Sequence, residues 1–277
     1  MLNGICSVLA ILLCLAFNSF SKDEDLKPED LVAQHVKSLG SPDALAQTTT
    51  RSITGTSTFK FISGATGQAA GQARWVSEKG KQGMVLRYGQ AEYPGEHFAY
   101  DGKDVMVNRI MPGLRSPLGD FLYRHGGIMK SETWGGTLNV GWPLLNLKES
   151  GAKAKSLKKK KIEEQELYEL EYVPKQSMED VKVKMYFDPA NFRHVMTEYR
   201  LRLQLTDASM NVVTTNYVLT ERFENFKDSD GIALPYQYSL AFLADGSSSS
   251  LQTLHTLDIA KIDHNGNIDP RFYAAEK

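Results

Sequence analysis

The amino-acid sequence predicts a mainly β protein: an incomplete, half-open antiparallel β-barrel of about ten to eleven strands with helices covering its concave side. Three observations predict it. Segments of alternating apolar and polar residues follow one another from Arg51 onward, Gly-containing turns separate them, and helical spacing is confined to the start and middle of the chain. Long antiparallel strands with one apolar face twist and curl, so they enclose an apolar interior.

The N-terminal helices come first. Lys27-Pro28-Glu29-Asp30 is typical of a helix start, and Gly40 of its end. Ser41 can cap a second short helix that reaches Gln47. A helical insert is predicted near 111–147, with helical pieces at 118–123 and 138–147, over one mouth of the curved sheet. An amphipathic helix cannot bury its apolar stripe alone, so these helices must lie on the sheet.

Strands are predicted in two blocks on either side of the insert. The lysine run Lys158–Lys161 is followed at once by Glu163 and Glu164, which favours a solvated turn with its charge neutralised locally. The predicted strands are Ser52–Ile62, Ala69–Glu78, Gln82–Gln90, Glu96–Tyr100 and Asp104–Ile110, then Glu166–Val173, Val181–Asp188, Arg193–Leu205, Val212–Asn225, Ile232–Leu243 and Leu251–Asp263.

The hairpin Tyr217–Phe242 has the clearest pattern in the chain. Aromatic and aliphatic residues alternate with polar or small ones along both arms, and Asp230-Gly231 supplies the glycine that a tight turn needs at positive φ. Pro235 lacks an N–H, which predicts that its arm begins at a strand end or lies on an edge.

The N-terminal segment predicts the compartment. Residues 1–21 carry no charge, and the apolar run Ile5–Phe17 precedes Ser19-Phe20-Ser21, a pattern typical of a secretory signal peptide cut after Ser21. A retained anchor is the alternative, although the run is short for a spanning helix. The mature residues 22–277 are predicted to form one periplasmic β domain, which contains no cysteine and hence no disulfide.

Composition and motifs argue against several functions. The formal charge of −1 gives no field for attracting nucleic acid. The six histidines are scattered singly, without the spacing that places two metal ligands on one helical face. We therefore predict no catalytic, cofactor or metal site. An enzyme would require a buried, pKa-shifted cluster around His97, His125 or His194.

Four stretches carry a family resemblance: Tyr186–Arg193, Phe223–Lys227, Asp230–Pro235 and the final segment Asp258–Phe272. In order and spacing they resemble the LolA-like periplasmic lipoprotein carriers, the family of outer-membrane lipoprotein-sorting proteins. The resemblance implies a half-open barrel, plugged by helices, that holds acyl chains in an apolar cavity. It is specific for architecture and not for any cargo contact.

These observations together predict a soluble, monomeric envelope carrier for a lipid or lipoprotein acyl group, without enzymatic activity or cofactor. Burying each CH₂ of an acyl chain gains ~0.8 kcal/mol, so an aromatic-lined interior suits such a cargo. The alternative is an envelope interaction or sensor module that binds protein partners through the same fold. The candidate cavity residues, each either cavity wall or plain core, are Trp75, Tyr199, Leu201, Tyr217, Leu219, Tyr236, Tyr238, Leu240 and Phe242.

Overall fold

A computed structural model describes residues 26–175, 178, 180–206, 210, 212–247 and 249–274. The predicted signal peptide lies outside the described residues. Within the described residues, no helix is long and apolar enough to cross a membrane.

The described strands form one antiparallel sheet of twelve, in the order β5-β4-β3-β2-β1-β12-β11-β10-β9-β8-β7-β6. The edge strands β5 and β6 are not paired with each other, so the barrel is open, as predicted. The strands are β1 Thr50–Ser63, β2 Gln68–Glu78, β3 Lys81–Tyr88, β4 Gly95–Tyr100, β5 Val105–Val107, β6 Lys153–Ile162, β7 Gln165–Val173, β8 Lys182–Phe187, β9 His194–Thr206, β10 Val212–Ser229, β11 Ile232–Gly246 and β12 Ser250–His264.

The lysine-rich strand β6 corrects the sequence prediction. Lys158–Lys161 was expected in a turn, but it forms an edge strand that pairs with β7, and the turn falls at Glu163, whose φ is 54°. Lys158 and Lys160 lie on one face of β6 and reach the same carboxylate, that of Glu169, at 3.3 and 3.1 Å. Lysines are common on edge strands, where their charge discourages pairing with another chain. A lysine-rich sequence is therefore compatible with a strand at this edge of the sheet.

The helices are α1 Pro28–Leu39, α2 Pro42–Gln47, α3 Pro117–Arg124, α4 Gly127–Lys130 and α5 Leu147–Ser150. Ser41 and Ser116 cap α2 and α3 with their hydroxyl oxygens. The predicted helical piece at 138–147 is not a continuous α-helix. It consists of the 3₁₀ turns Gly136–Leu138 and Pro143–Asn146, because Pro143 lacks the N–H that an uninterrupted helix requires.

The β10–β11 hairpin turns through Asp230 and Gly231, whose φ values are 54° and 83°, as the Asp-Gly signal predicts. Pro235 lies inside β11, a strand in the middle of the sheet. However, pairing of β11 with β12 begins only at Gln237, so Pro235 occupies a local edge where no neighbouring strand needs its N–H.

The core lies between the concave face of the sheet and the helices. Inward residues of β1–β4 and β8–β12 are buried against α1 and the insert between β5 and β6. The largest fully buried side chains include Trp75, Trp134, Trp142, Tyr199 and Tyr238. The C-terminal 3₁₀ turn Pro270–Tyr273 packs on the opposite, outer face of β3.

Candidate functional site: the covered concave face

The nine predicted cavity residues belong to four strands: Trp75 to β2, Tyr199 and Leu201 to β9, Tyr217 and Leu219 to β10, and the other four to β11. All belong to one hydrophobic core or pack against it. Seven are buried, while Tyr217 and Tyr236 are half-buried. The alternation in the sequence therefore correctly predicts that these nine residues lie on the same face of the sheet.

The insert covers the concave face that these residues form. The ring of Trp134 lies 5.2 Å from that of Trp75 and 5.5 Å from that of Phe98, and all three side chains are buried. Because the chain's own side chains occupy this space, a ligand can reach the face only if part of the insert moves.

A buried carboxylate holds the centre of the insert against the sheet. Glu221 on β10 is 0% exposed and accepts hydrogen bonds from Tyr238 Oη at 2.7 Å, Tyr199 Oη at 2.9 Å and the backbone amide of Gly135 at 2.7 Å. Burial raises the pKa of Glu221 to about 7, although the three hydrogen bonds favour the ionised form. The Gly135 bond ties the insert directly to β10.

Further hydrogen bonds tie the same part of the insert to the sheet, among them that of Asn139 Nδ2 to Gln82 Oε1 at 3.2 Å. Gln82 Nε2 donates to the Met129 carbonyl at 3.0 Å, and the Gly80 amide donates to Glu132 at 2.7 Å. The Val140 amide donates to Ser77 Oγ at 3.1 Å. Together with Glu221, these bonds define residues 129–142 as the anchored segment.

Arg51 supplies another bond between the insert and the sheet. This residue of β1 is 4% exposed, and its guanidinium donates to the Thr137 carbonyl at 2.6 Å. No carboxylate pairs with it in the described part of the chain, and burial lowers its pKa to about 9. Because a buried guanidinium loses stability without an acceptor, its bond to the Thr137 carbonyl fixes the position of the anchored segment.

Helix α3 covers another part of the concave face through apolar and aromatic contacts. The Phe121 ring lies 5.5 Å from that of Tyr217 and 5.2 Å from that of Phe242. Leu118 and Leu122 on the same helix are buried as well. The ion pair of α3, between Arg124 and Asp120, stays within the helix.

The histidines considered for catalysis lie on separate elements. His194 on β9 is buried and stacks on Trp142, with ring centroids 4.8 Å apart. Its neighbour His35 accepts a hydrogen bond from Trp142 Nε1 at 3.1 Å and donates one to the Phe192 carbonyl at 3.0 Å. Burial lowers the pKa of His35 to about 4 and that of His194 well below its ordinary value, so both are neutral packing groups.

The other two histidines have different surroundings. His97 on β4 bonds the Phe272 carbonyl on the outer face, and the ring of His125, just after α3, contacts that of Phe121. Among the described residues, no group of three His, Cys, Asp or Glu side chains could hold a metal ion.

The polar anchors were missed by the sequence reasoning, although the pattern contains a signal for them. Glu221 occupies an inward position between Leu219 and Phe223, and Arg51 occupies one ahead of Ile53. A charged residue at an apolar position of the strand alternation requires a buried partner. Its partner cannot be identified from sequence, because the insert that supplies it is irregular.

Comparison with solved structures finds similar chains at low identity. A LolA superfamily protein from Nitrosomonas europaea is 16% identical, with 88% of this chain and 96% of that chain covered and a TM-score of 0.45. A DUF1329 family protein from Desulfovibrio piger is 12% identical, covers 89% and 95%, and gives a TM-score of 0.40.

No protein-family model and no curated protein matches the chain.

Proposed function

We propose that this protein is a periplasmic carrier that holds an acyl chain of a lipid or lipoprotein between its concave face and helix α3. The observation that carries the proposal is the way α3 is held. Phe121, Leu118 and Leu122 close an apolar, aromatic face through contacts that an acyl chain can replace.

The energetics favour α3 as the moving part. If α3 lifts, methylene groups of a cargo take over the contacts of its apolar side chains, and each buried CH₂ gains ~0.8 kcal/mol. If the anchored segment lifted, Glu221, Arg51 and Gln82 would lose buried hydrogen-bond partners, which costs about 1–3 kcal/mol for each group left unsatisfied. The hydrocarbon tail of an acyl chain has no polar atoms to replace them.

An apolar path leads outward from beneath α3. Leu201, Leu203 and Leu205 follow one another along the inward positions of β9, and Leu201 pairs with Tyr217, the residue that Phe121 covers. Burial falls along this path: Leu201 is buried, Leu203 half-buried and Leu205 67% exposed. The apolar stripe thus continues beyond the cover, where an entering chain would meet it first.

A disulfide that locks α3 onto β5 tests the proposal. A Cβ added at Gly119 would lie 3.0 Å from Cγ1 of Val107, so the double variant Gly119→Cys/Val107→Cys brings two sulfurs within bonding reach. Both natural cysteines, Cys6 and Cys14, lie in the predicted signal peptide, so residues 22–277 carry no competing thiol. The single variant Gly119→Cys is the matched control for the tight fit at this position.

Binding of a fluorescent C18 fatty acid, cis-parinaric acid, is the readout. We expect the wild type and the single variant to bind it, the oxidised double variant to lose binding, and a reducing agent to restore it. Equal binding by the oxidised and reduced double variant would rule out α3 as the gate. Absence of binding by the wild type would contradict the carrier function itself and favour the interaction module.

A further inference from the structure

A groove of about 830 Å³ opens on the outer face of the sheet, opposite the covered concave face. Its walls are the outward side chains of β3 and β4, residues 108–109 after β5, and the C-terminal 3₁₀ turn. The volume lies in the range of about 300–1,000 Å³ that small-molecule sites occupy. Nothing in the carrier proposal uses this groove.

The C-terminal wall is built in, not loosely attached. Gly83 on β3 lets the backbone of Phe272 approach closely, since a Cβ there would lie 2.4 Å from the Phe272 carbonyl oxygen. His97 Nε2 donates to that oxygen at 3.0 Å, and the guanidinium of Arg74 lies over the Phe272 ring at 4.4 Å. This wall brings Arg271 and Asp269 to the groove.

Positive charge is concentrated in the groove of a chain whose formal charge is −1. Arg87 on β3, Arg109 after β5 and Arg271 line it, and the carboxylate of Asp269 lies on the C-terminal wall. Asp269 is already bound by Arg271 Nε at 2.9 Å. In the described part of the chain no carboxylate forms an ion pair with Arg87 or Arg109, and both side chains are exposed.

Glu96 also lines the groove, but it does not neutralise these arginines. Its side chain is 1% exposed, and its Oε1 accepts a hydrogen bond from Tyr93 on the inner side of β4. Burial raises the pKa of Glu96 to about 7.

The neutral polar group of the groove is also oriented as a donor. Asn108 Oδ1 accepts from the His97 amide at 2.6 Å, which leaves the Nδ2 group of Asn108 to donate to a ligand. Two guanidinium groups without partners and an amide donor therefore face one volume. Guanidinium forks match the oxygens of phosphate and carboxylate groups, and the groove is larger than a simple inorganic ion requires.

We propose that this groove binds a phosphate ester, with Arg87 and Arg109 holding the phosphate oxygens and Asn108 donating a further hydrogen bond. The remaining volume accommodates the esterified group. The ester is either a free small molecule or the headgroup of a lipid. This site is proposed independently of the carrier function.

The test is a titration of the full mature chain with glycerol 3-phosphate, followed by calorimetry, and a flotation assay with vesicles of phosphatidylglycerol in phosphatidylcholine. The double variant Arg87→Gln/Arg109→Gln removes the two guanidinium groups, and circular dichroism checks that it is folded. The control is Arg202→Gln, an exposed arginine on β9 away from the groove.

We expect the double variant to bind at least about tenfold more weakly than the wild type, since it loses two charge-assisted hydrogen-bond donors, and the control to bind as the wild type does. Binding of glycerol 3-phosphate alone identifies a free ester, and binding of the vesicles identifies a headgroup. Equal affinity for glycerate, equal weakening in the control, or no binding of either probe would overturn the proposal.

Discussion

The anchored segment and helix α3 cover the same concave face, but they are held in opposite ways. Residues 129–142 are joined to the sheet by directional hydrogen bonds, accepted by Glu221 and Ser77 and donated by Arg51 and Gln82. Helix α3 is held mainly by rings and aliphatic side chains, with a polar contact at its start, where Arg115 Nε donates to the Val107 carbonyl of β5 at 3.3 Å. Directional buried bonds must break together, whereas apolar contacts can be exchanged for those of a ligand. We propose that this difference divides the cover into a fixed part, residues 129–142, and a releasable part, helix α3.

The largest effect is expected in the fixed part, at Trp134. Trp134→Ala removes a fully buried ring that contacts Trp75 and Phe98, and it should lower the free energy of unfolding by about 3–5 kcal/mol. Urea unfolding followed by circular dichroism measures the loss. A loss below about 1 kcal/mol would mean that the anchored segment is not part of the cooperative core.

Removing the buried acceptor comes next. Glu221→Leu leaves the hydroxyls of Tyr199 and Tyr238 and the Gly135 amide without their acceptor, so we expect a loss of about 3 kcal/mol. The matched variant Glu221→Gln keeps one acceptor oxygen and should lose less. Both are compared in the same urea titration. A leucine variant as stable as the glutamine variant would show that these hydrogen bonds do not hold the segment.

A smaller loss of stability is expected in the releasable part. Phe121→Ala can lower the free energy of unfolding by no more than the free energy with which α3 docks on the sheet. Once that docking energy is lost, the helix detaches while the rest of the chain stays folded. We expect a loss of at most about 2 kcal/mol. The same variant should take up cis-parinaric acid faster in stopped-flow fluorescence. Slower uptake, or a loss of stability as large as that of Trp134→Ala, would contradict the division of the cover.

A pH dependence isolates the contribution of Glu221. Its folded-state pKa of about 7 lies above the ordinary value of 4.5, so the folded chain keeps a proton that the unfolded chain releases. This stabilisation is fully present below pH 4.5 and is lost as the pH rises through about 7, by at most about 1.4 kcal/mol per unit.

The matched variant for this measurement is Glu221→Gln, which lacks the titrating group but keeps the buried histidines. The unfolding free energy of the wild type minus that of the variant should therefore fall between pH 5 and 7. A flat difference would show that Glu221 is already ionised across this range.

The sheet was largely predictable because its residues act through a local period. The alternation along Tyr217–Phe242 and the Asp230-Gly231 turn fix the strand faces and the hairpin without reference to the rest of the chain. Strand β6 was not predicted because its lysines lie on both faces, so the sequence shows no apolar–polar alternation there. The carboxylate that neutralises Lys158 and Lys160, that of Glu169, belongs to the next strand.

The site was predictable only in its apolar half. Residues such as Trp75 and Tyr238 follow the strand pattern, so their common face could be inferred. The partner of Glu221 is a backbone amide in an irregular loop, at Gly135 with φ 84°. That contact depends on tertiary packing between distant parts of the chain, which no local pattern contains.

Hydrogen exchange on the wild type tests the division of the cover most directly. The amides of Gly135 and Val140 are bonded to Glu221 and Ser77 on the sheet, so they should exchange only at the rate of global unfolding. The amides in α3, such as that of Asp120, which donates to the Ser116 carbonyl, should exchange through a local opening that requires less free energy than global unfolding. They should exchange faster still while an acyl chain is being loaded. Equal protection of both parts, or earlier exchange at Gly135 and Val140, would contradict the account.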